Sequence, residues 1–268
     1  MIKDITLGQY FPGNSFIHRL DPRIKLIALV VFIVSIFFAK GLVSYGLCIG
    51  FTVAMVAISK IKPKLILRSL RAIIIIVIFT ALLNMLYTPG KEIVSFWIFK
   101  ITWEGIYAGF AMAVRVILLV TVSALLTYTT SPMALTDGLE KLLSPLKKIK
   151  IPVHEFAMMM TIALRFIPTL IEETDKIMSA QKARGADFES GNIIKRAKAL
   201  IPVLVPLFVS SFRRADELAT AMECRLYHGG SGRTRLKSLR YGKIDAIGAI
   251  ILVLVCAGII VLAKVFGL

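Results

Sequence analysis

The chain has 268 residues, 57% of them hydrophobic, with a mean hydropathy of +0.80. Soluble domains average ~45–50% apolar residues, so an ordinary soluble globular domain is excluded and lipid is indicated. Lys and Arg number 33 against 16 Asp and Glu, a formal net charge of +17; such a surplus suits nucleic acid, anionic lipid or the inner face of a membrane, and the apolar runs decide for the membrane.

A spanning helix needs ~20 mostly apolar residues. The first candidate runs from about Leu26 to Ala39, after Arg23 and Lys25, and no small-residue cleavage site follows it, so no cleavable signal peptide is expected. A tight Lys40-Gly41 turn leads to the second, about Leu42 to Ile58. The third covers roughly Ala72 to Leu86 and stops at Tyr87-Thr88-Pro89-Gly90, a strong turn signal. The fourth spans about Trp103 to Tyr128 and is ended by Ser131-Pro132, and the fifth lies at about Ile244 to Phe266. Lys3, Arg19, Arg23 and Lys25 precede the first span, and Lys60, Lys62, Lys64, Arg68 and Arg71 precede the third. The opposite side holds only Lys40, Lys91, Lys100 and Lys264. The excess of cations on cytoplasmic loops therefore puts the N-terminus in the cytoplasm and, with five spans, the C-terminus outside.

The interval 131–243 is too charged for a set of simple spans and too apolar for a flexible linker. It opens with a short amphipathic helix, about Met133 to Leu146. A long helix follows from Val153 to Arg184, with Phe156, Met160, Ala163, Ile167, Leu170, Thr174 and Ile177 recurring at three or four residues to give one apolar face. Glu172 and Lys176 are spaced as an i,i+4 pair, as are Arg213 and Glu217. A second long helix begins near Ile193 and runs through Pro202 and Pro206, where a kink or break is expected, to Arg225. Its stretch Leu200–Val209 is apolar but too short to span, so it is either buried against other helices or lies at the interface. The chain thus divides into 1–130 with four spans, an inserted segment 131–243, and a last span at 244–268: an all-α integral membrane fold.

The two long helices resemble each other. Laying Arg184 over Arg225 also lays Asp175 over Asp216, Ser179 over Thr220 and Ala180 over Ala221. One arginine at a helix C-terminus simply complements the helix dipole. Two at equivalent positions also suit a second role, since a guanidinium fork fits a carboxylate-lined groove on a partner. A doubled motif suggests a partner with two-fold or pseudo-two-fold symmetry.

Other chemistry is sparse. There is no GxxxxGK[ST], so the chain is not expected to bind ATP, and Gly229-Gly230-Ser231-Gly232-Arg233-Thr234 lacks the lysine and is read as a loop. His154-Glu155 is not followed by a second histidine at zincin spacing. His18, His154 and His228 are scattered, as are Cys48, Cys224 and Cys256, so neither a metal site, a cofactor site nor a disulfide framework is expected. Arg115 lies inside the fourth apolar run, where an ionisable residue is costly; a role in the bundle interior, pairing with a carboxylate or backbone carbonyl, is expected. Asn84 in the third run suits helix–helix hydrogen bonding. Met158-Met159-Met160 suits core packing or an adaptable contact surface. The basic stretch Arg233–Lys243 suits anchoring at anionic lipid, and nothing resembles a base-stacking platform for nucleic acid.

Together these features resemble the T component of energy-coupling factor (ECF) transporters, a family that includes transmembrane subunits of cobalt and biotin importers. The resemblance covers essentially the whole chain, including Leu20-Asp21-Pro22-Arg23 and Gln181-Lys182-Ala183-Arg184-Gly185. The family's tripeptide is typically Ala-Arg-Gly; Ala183-Arg184-Gly185 matches it, whereas Cys224-Arg225-Leu226 keeps the arginine and departs at both flanks. The resemblance implies no catalysis in this chain. It implies two cytoplasmic ABC-type ATPases, each receiving one arginine-bearing coupling helix, and one small membrane S component that binds a vitamin or micronutrient. It also implies a bacterial plasma-membrane location. Two rivals differ in class. A polytopic membrane enzyme needs clustered acidic or His residues, for which Glu172, Glu173 and Asp175 are the only candidates. A secondary transporter needs inverted repeats and charged, broken spans, for which only Arg115 qualifies.

Overall fold

A computed structural model of the chain describes residues 10–90, 92–96, 99–188, 190–229, 239 and 241–266. Lys3, Lys91 and the Gly-rich and basic stretch 230–238 lie outside the described residues. The fold is that of an all-α integral membrane protein, with one short hairpin that the periodicity does not reveal. It falls into two compact units, one of residues 8–141 with 239–268 and one containing 142–238.

In the first unit, α1 (Phe16–Arg19) starts at Ser15, whose hydroxyl accepts from His18 N. Asp21 caps α2 (Pro22–Phe38), and Pro22 occupies its first turn, where no amide donor is needed. Lys60, in the left-handed region at φ 56°, ends α3 (Gly41–Ser59). The expected third span is a bent pair: α4 (Pro63–Arg71) meets α5 (Ile74–Tyr87) at 60°. No proline or glycine stands at the break. The bend arises because α4 carries Lys64, Arg68 and Arg71 along one face and cannot follow apolar α5 into hydrocarbon. Its other side is tied down, with Ser69 Oγ 2.6 Å from Tyr128 Oη and Tyr128 Oη donating to Leu65 O. After the antiparallel strands β1 (Glu92–Phe96) and β2 (Phe99–Thr102), Thr102 Oγ1 accepts from Gly105 N and caps α6 (Trp103–Thr129). Then come α7 (Pro132–Leu143) and, nearly 100 residues later in sequence, α10 (Lys243–Phe266).

The core joins Phe32 and Ile36 of α2, Tyr45 and Cys48 of α3, Leu118 of α6, and Cys256 and Ile259 of α10. The outward faces are apolar as well, with Val30, Phe37, Val53, Phe79 and Val253 exposed, as helices facing lipid require. Gly105 and Gly109, four residues apart on α6, bring that helix against the α5 backbone: a Cβ at Gly105 would stand 2.6 Å from Met85 O, and one at Gly109 2.7 Å from Ala81 O. This small-xxx-small contact is present in the sequence and was not anticipated there.

The second unit holds a 3-10 helix (Ser144–Ile149), α8 (Val153–Ala183) and α9 (Ile193–Cys224). Both α-helices are unbroken despite Pro168, Pro202 and Pro206. The face α8 buries begins with Val153 and Ala157, whereas Phe156, Met160 and Ala163 of the expected stripe are exposed. On α9 Val203 is buried at 2%, but Ile201, Leu204, Val205, Phe208 and Val209 are exposed. Within Leu200–Val209, then, Val203 is buried and Leu207 half-buried, while the other side chains are left uncovered by the described residues.

Among the described residues, α3, α6, α8 and α10 qualify by length and composition as membrane spans, and the bent α4–α5 pair makes up to five. Of these α8 is the least apolar and carries Arg165 near its middle. The α2 helix has 17 residues, at the lower limit of spanning length.

Candidate functional site

The two long helices end alike. At the end of α8, Gly185 N donates to Lys182 O at 3.0 Å and Ala186 N reaches back to Gln181 O at 3.0 Å. At the end of α9, Leu226 N donates to Glu223 O at 2.8 Å and Tyr227 N to Met222 O at 3.0 Å. Both are Schellman caps, in which the two amides past the last helical residue satisfy carbonyls the helix leaves open. Such a cap needs a left-handed residue, here Gly185 at φ +85° and Leu226 at φ 55°. Arg184 and Arg225 occupy the same position, immediately before that turn, and both are exposed. So are Ala183, Gly185, Cys224 and Leu226. The match continues inward: Ser179 Oγ donates to Asp175 O, and Thr220 Oγ1 to Asp216 O.

The two helices are clasped to each other. Arg214 Nη2 donates to Glu173 Oε2 at 2.6 Å, and Ser210 Oγ donates to Glu173 Oε1 at 2.5 Å. Glu173 and Arg214 are themselves equivalent positions, superposing when Arg184 is laid over Arg225. A contact between equivalent residues is what a local two-fold axis produces. From that crossing each arginine lies about 16 Å further along its own helix, at ~1.5 Å per residue. Arg214 was not singled out from the sequence, and Glu173 only as part of the acidic cluster Glu172, Glu173 and Asp175; the i,i+4 spacing drew attention to Glu172 and Lys176.

A second polar assembly lies in the bundle. Asp21 accepts from Arg23 N, Nε and Nη2 at 2.8–3.0 Å, and Asp21 N donates to Asp245 Oδ1 at 2.7 Å. This ties the start of α2 to the start of α10, and Arg23 also stacks 3.9 Å over the Tyr241 ring. Lys25 Nζ donates to His18 O, Thr129 O and Thr130 Oγ1. Burial alone would raise the Asp21 pKa, but the bonds from Arg23 hold it below the ordinary value. His18 is held low by burial, against the pull of the Phe11 carbonyl, and by the charge of Lys25. Leu20-Asp21-Pro22-Arg23 is thus a joint between helices.

The intramembrane candidates have modest partners. Arg115 donates from Nη2 to Tyr45 Oη at 2.9 Å and lies 5.4 Å from the Phe37 ring centroid, while its Nε is buried without a partner among the described residues. A hydroxyl and a ring thus take the place of the expected carboxylate or carbonyl. Asn84 donates to Thr80 O, four residues back on its own helix, and among the described residues no bond from its side chain to a neighbouring helix is seen. Among the described residues no three His, Cys, Asp or Glu side chains gather as a metal site would need, and Cys48, Cys224 and Cys256 are free thiols.

Residues 13–236 match the CbiQ family, described as a cobalt transport protein. The chain belongs to the CbiQ/EcfT family of transporter membrane proteins. Among curated relatives, the energy-coupling factor transporter transmembrane protein EcfT of Acidaminococcus fermentans is 56% identical over 252 residues, covering 94% of each chain. The EcfT of Ruminiclostridium cellulolyticum is 53% identical, covering 99% of this chain and all of that one. The EcfT of Lactococcus lactis is 46% identical, with 98% and 100% covered. An EcfT-family chain is a multi-pass membrane component of a multi-subunit transporter, a role distinct from that of the polytopic enzyme considered as a rival.

Proposed function

We propose that this chain is the coupling subunit of an ECF-type importer. Ala183-Arg184-Gly185 and Cys224-Arg225-Leu226 each seat in one of two cytoplasmic ABC-type ATPases. Residues 131–243 transmit the ATP-driven closure of that pair to a separate small membrane S component that binds a vitamin or other micronutrient. The N-terminus is cytoplasmic, residues 1–130 and 244–268 carry the spans, and ATP hydrolysis belongs to the partners.

The observation that supports this most is the crossing of α8 and α9 at equivalent residues, Glu173 and Arg214, with an exposed cap arginine the same distance beyond it on each helix. A two-fold pair of ATPases would meet two matching ends. The Schellman bonds fix the backbone from which each arginine side chain projects. The clasp ties the two rods together at their crossing. Phe156 and Met160 on α8 and Val205, Phe208 and Phe212 on α9 are exposed; large apolar side chains left uncovered suit an interaction or lipid-facing site, and contact with the S component is the use assigned to them.

The test is co-purification with the two ATPases. Charge reversal at both tips, R184E together with R225E, abolishes assembly while the chain still inserts in the membrane. Normal assembly of that double variant would overturn the coupling role.

A further inference from the structure

Under the bend between α4 and α5 lies a groove of about 800 Å³, within the ~300–1,000 Å³ typical of small-molecule sites. Its walls are apolar side chains of α4, α5 and α6, among them Val77, Ile117 and Val120. Lys64, Arg68 and Arg71 line the same groove from α4. At spacings of four and three residues these cations share one face of α4, and all three are exposed. No carboxylate among the described residues pairs with any of them. The 60° bend sets the short cationic helix α4 at an angle to α5, so that its cations and the apolar side chains of α5 and α6 line one groove.

We propose that this groove binds one anionic phospholipid of the bilayer, its phosphate held by Lys64, Arg68 and Arg71 and an acyl chain lying against Val77, Ile117 and Val120. Charge complementarity selects the headgroup, since a zwitterionic lipid brings a positive group against three cations. Apolar depth selects a lipid over a soluble anion, because a phosphate alone leaves the lower walls uncovered. A lipid bound there fastens α4 at the membrane surface, and with it the bend between α4 and α5. The site is separate from the arginine tips and does not depend on their role.

The full-length chain, with Trp97 and Trp103 replaced by phenylalanine so that I117W is its one tryptophan, in the groove, is titrated in detergent with phosphatidylglycerol brominated on its acyl chains. Saturable quenching is expected. Brominated phosphatidylcholine should give at least tenfold weaker quenching. The variant K64Q/R68Q/R71Q should lose about tenfold or more in affinity for phosphatidylglycerol, whereas K64R/R68K/R71K, which keeps the charge, should retain it. Millimolar inorganic phosphate should fail to displace the lipid. Equal quenching by the two lipids, an unchanged midpoint in the glutamine variant, or displacement by phosphate would each overturn the proposal. Should the glutamine variant keep its phosphatidylglycerol affinity yet lose a co-purifying membrane subunit, the groove is a protein interface and the proposal fails. Native mass spectrometry of the chain without I117W, counting retained phosphatidylglycerol, repeats the test free of the reporter.

Discussion

A leucine held at φ 55° carries a steric penalty of about 1–2 kcal/mol that a glycine does not. Leu226 accepts that conformation because the cap around Arg225 requires it, as the cap around Arg184 requires it of Gly185. Replacing Leu226→Gly should therefore raise the thermal midpoint of the folded chain, and Gly185→Leu should lower it by a comparable amount; differential scanning fluorimetry in detergent measures both. No gain in L226G would mean that packing of the leucine side chain, not the cap, sets the local geometry. His18 gives a prediction in pH. Its folded pKa is depressed below 6.5 by burial, so the unfolded chain takes up the proton first as pH falls. Stability from this site is full above about pH 6.5 and is lost as pH drops through the folded value. Thermal midpoints should decline between pH 7 and 5, and H18N should flatten that decline; parallel curves would show that another group titrates.

At the scale of elements, two contacts decide how helices meet. Gly109 lets α6 touch the carbonyl of Ala81 on α5, and even a methyl group there forces backbone movement costing about 1–3 kcal/mol. G109A should lower the midpoint measurably, while alanine at Gly46, where a Cβ meets nothing within 4 Å, should not. The Glu173–Arg214 bond joins α8 to α9 with both side chains partly exposed, so solvent screening limits it to about 1 kcal/mol. A double-mutant cycle of E173Q and R214M should show coupling of that order, and strict additivity would remove the clasp from the account.

What the sequence made legible followed the strength of each local signal. Five apolar runs, the turn at Pro89-Gly90 and both arginine tips stand out because hydrophobicity and helix periodicity are set by neighbouring residues. The Arg184–Arg225 alignment also held the clasp within it, since Glu173 lies over Arg214, yet i,i+4 spacing favoured Glu172. Periodicity says which residues share a face, not which element will cover it. For the same reason the stripe from Phe156 to Ile177 did not single out Val153 and Ala157 as the buried residues. The bend before α5 had a local signal in Pro63 and the cationic spacing of Lys64, Arg68 and Arg71. The bond from Asp21 to Asp245 had none, being made between residues far apart in the chain.

At the scale of the whole molecule, the chain comprises an apolar helical bundle and a clasped pair of long helices with matching ends. Each end is assigned one ATPase, so the ends should act independently in binding and together in transport. Counting ATPase subunits on the intact complex by native mass spectrometry tests this most directly. The parent chain should retain two, R184E and R225E alone one each, and the double variant none. Two subunits retained by every variant would contradict the assignment of the arginine tips.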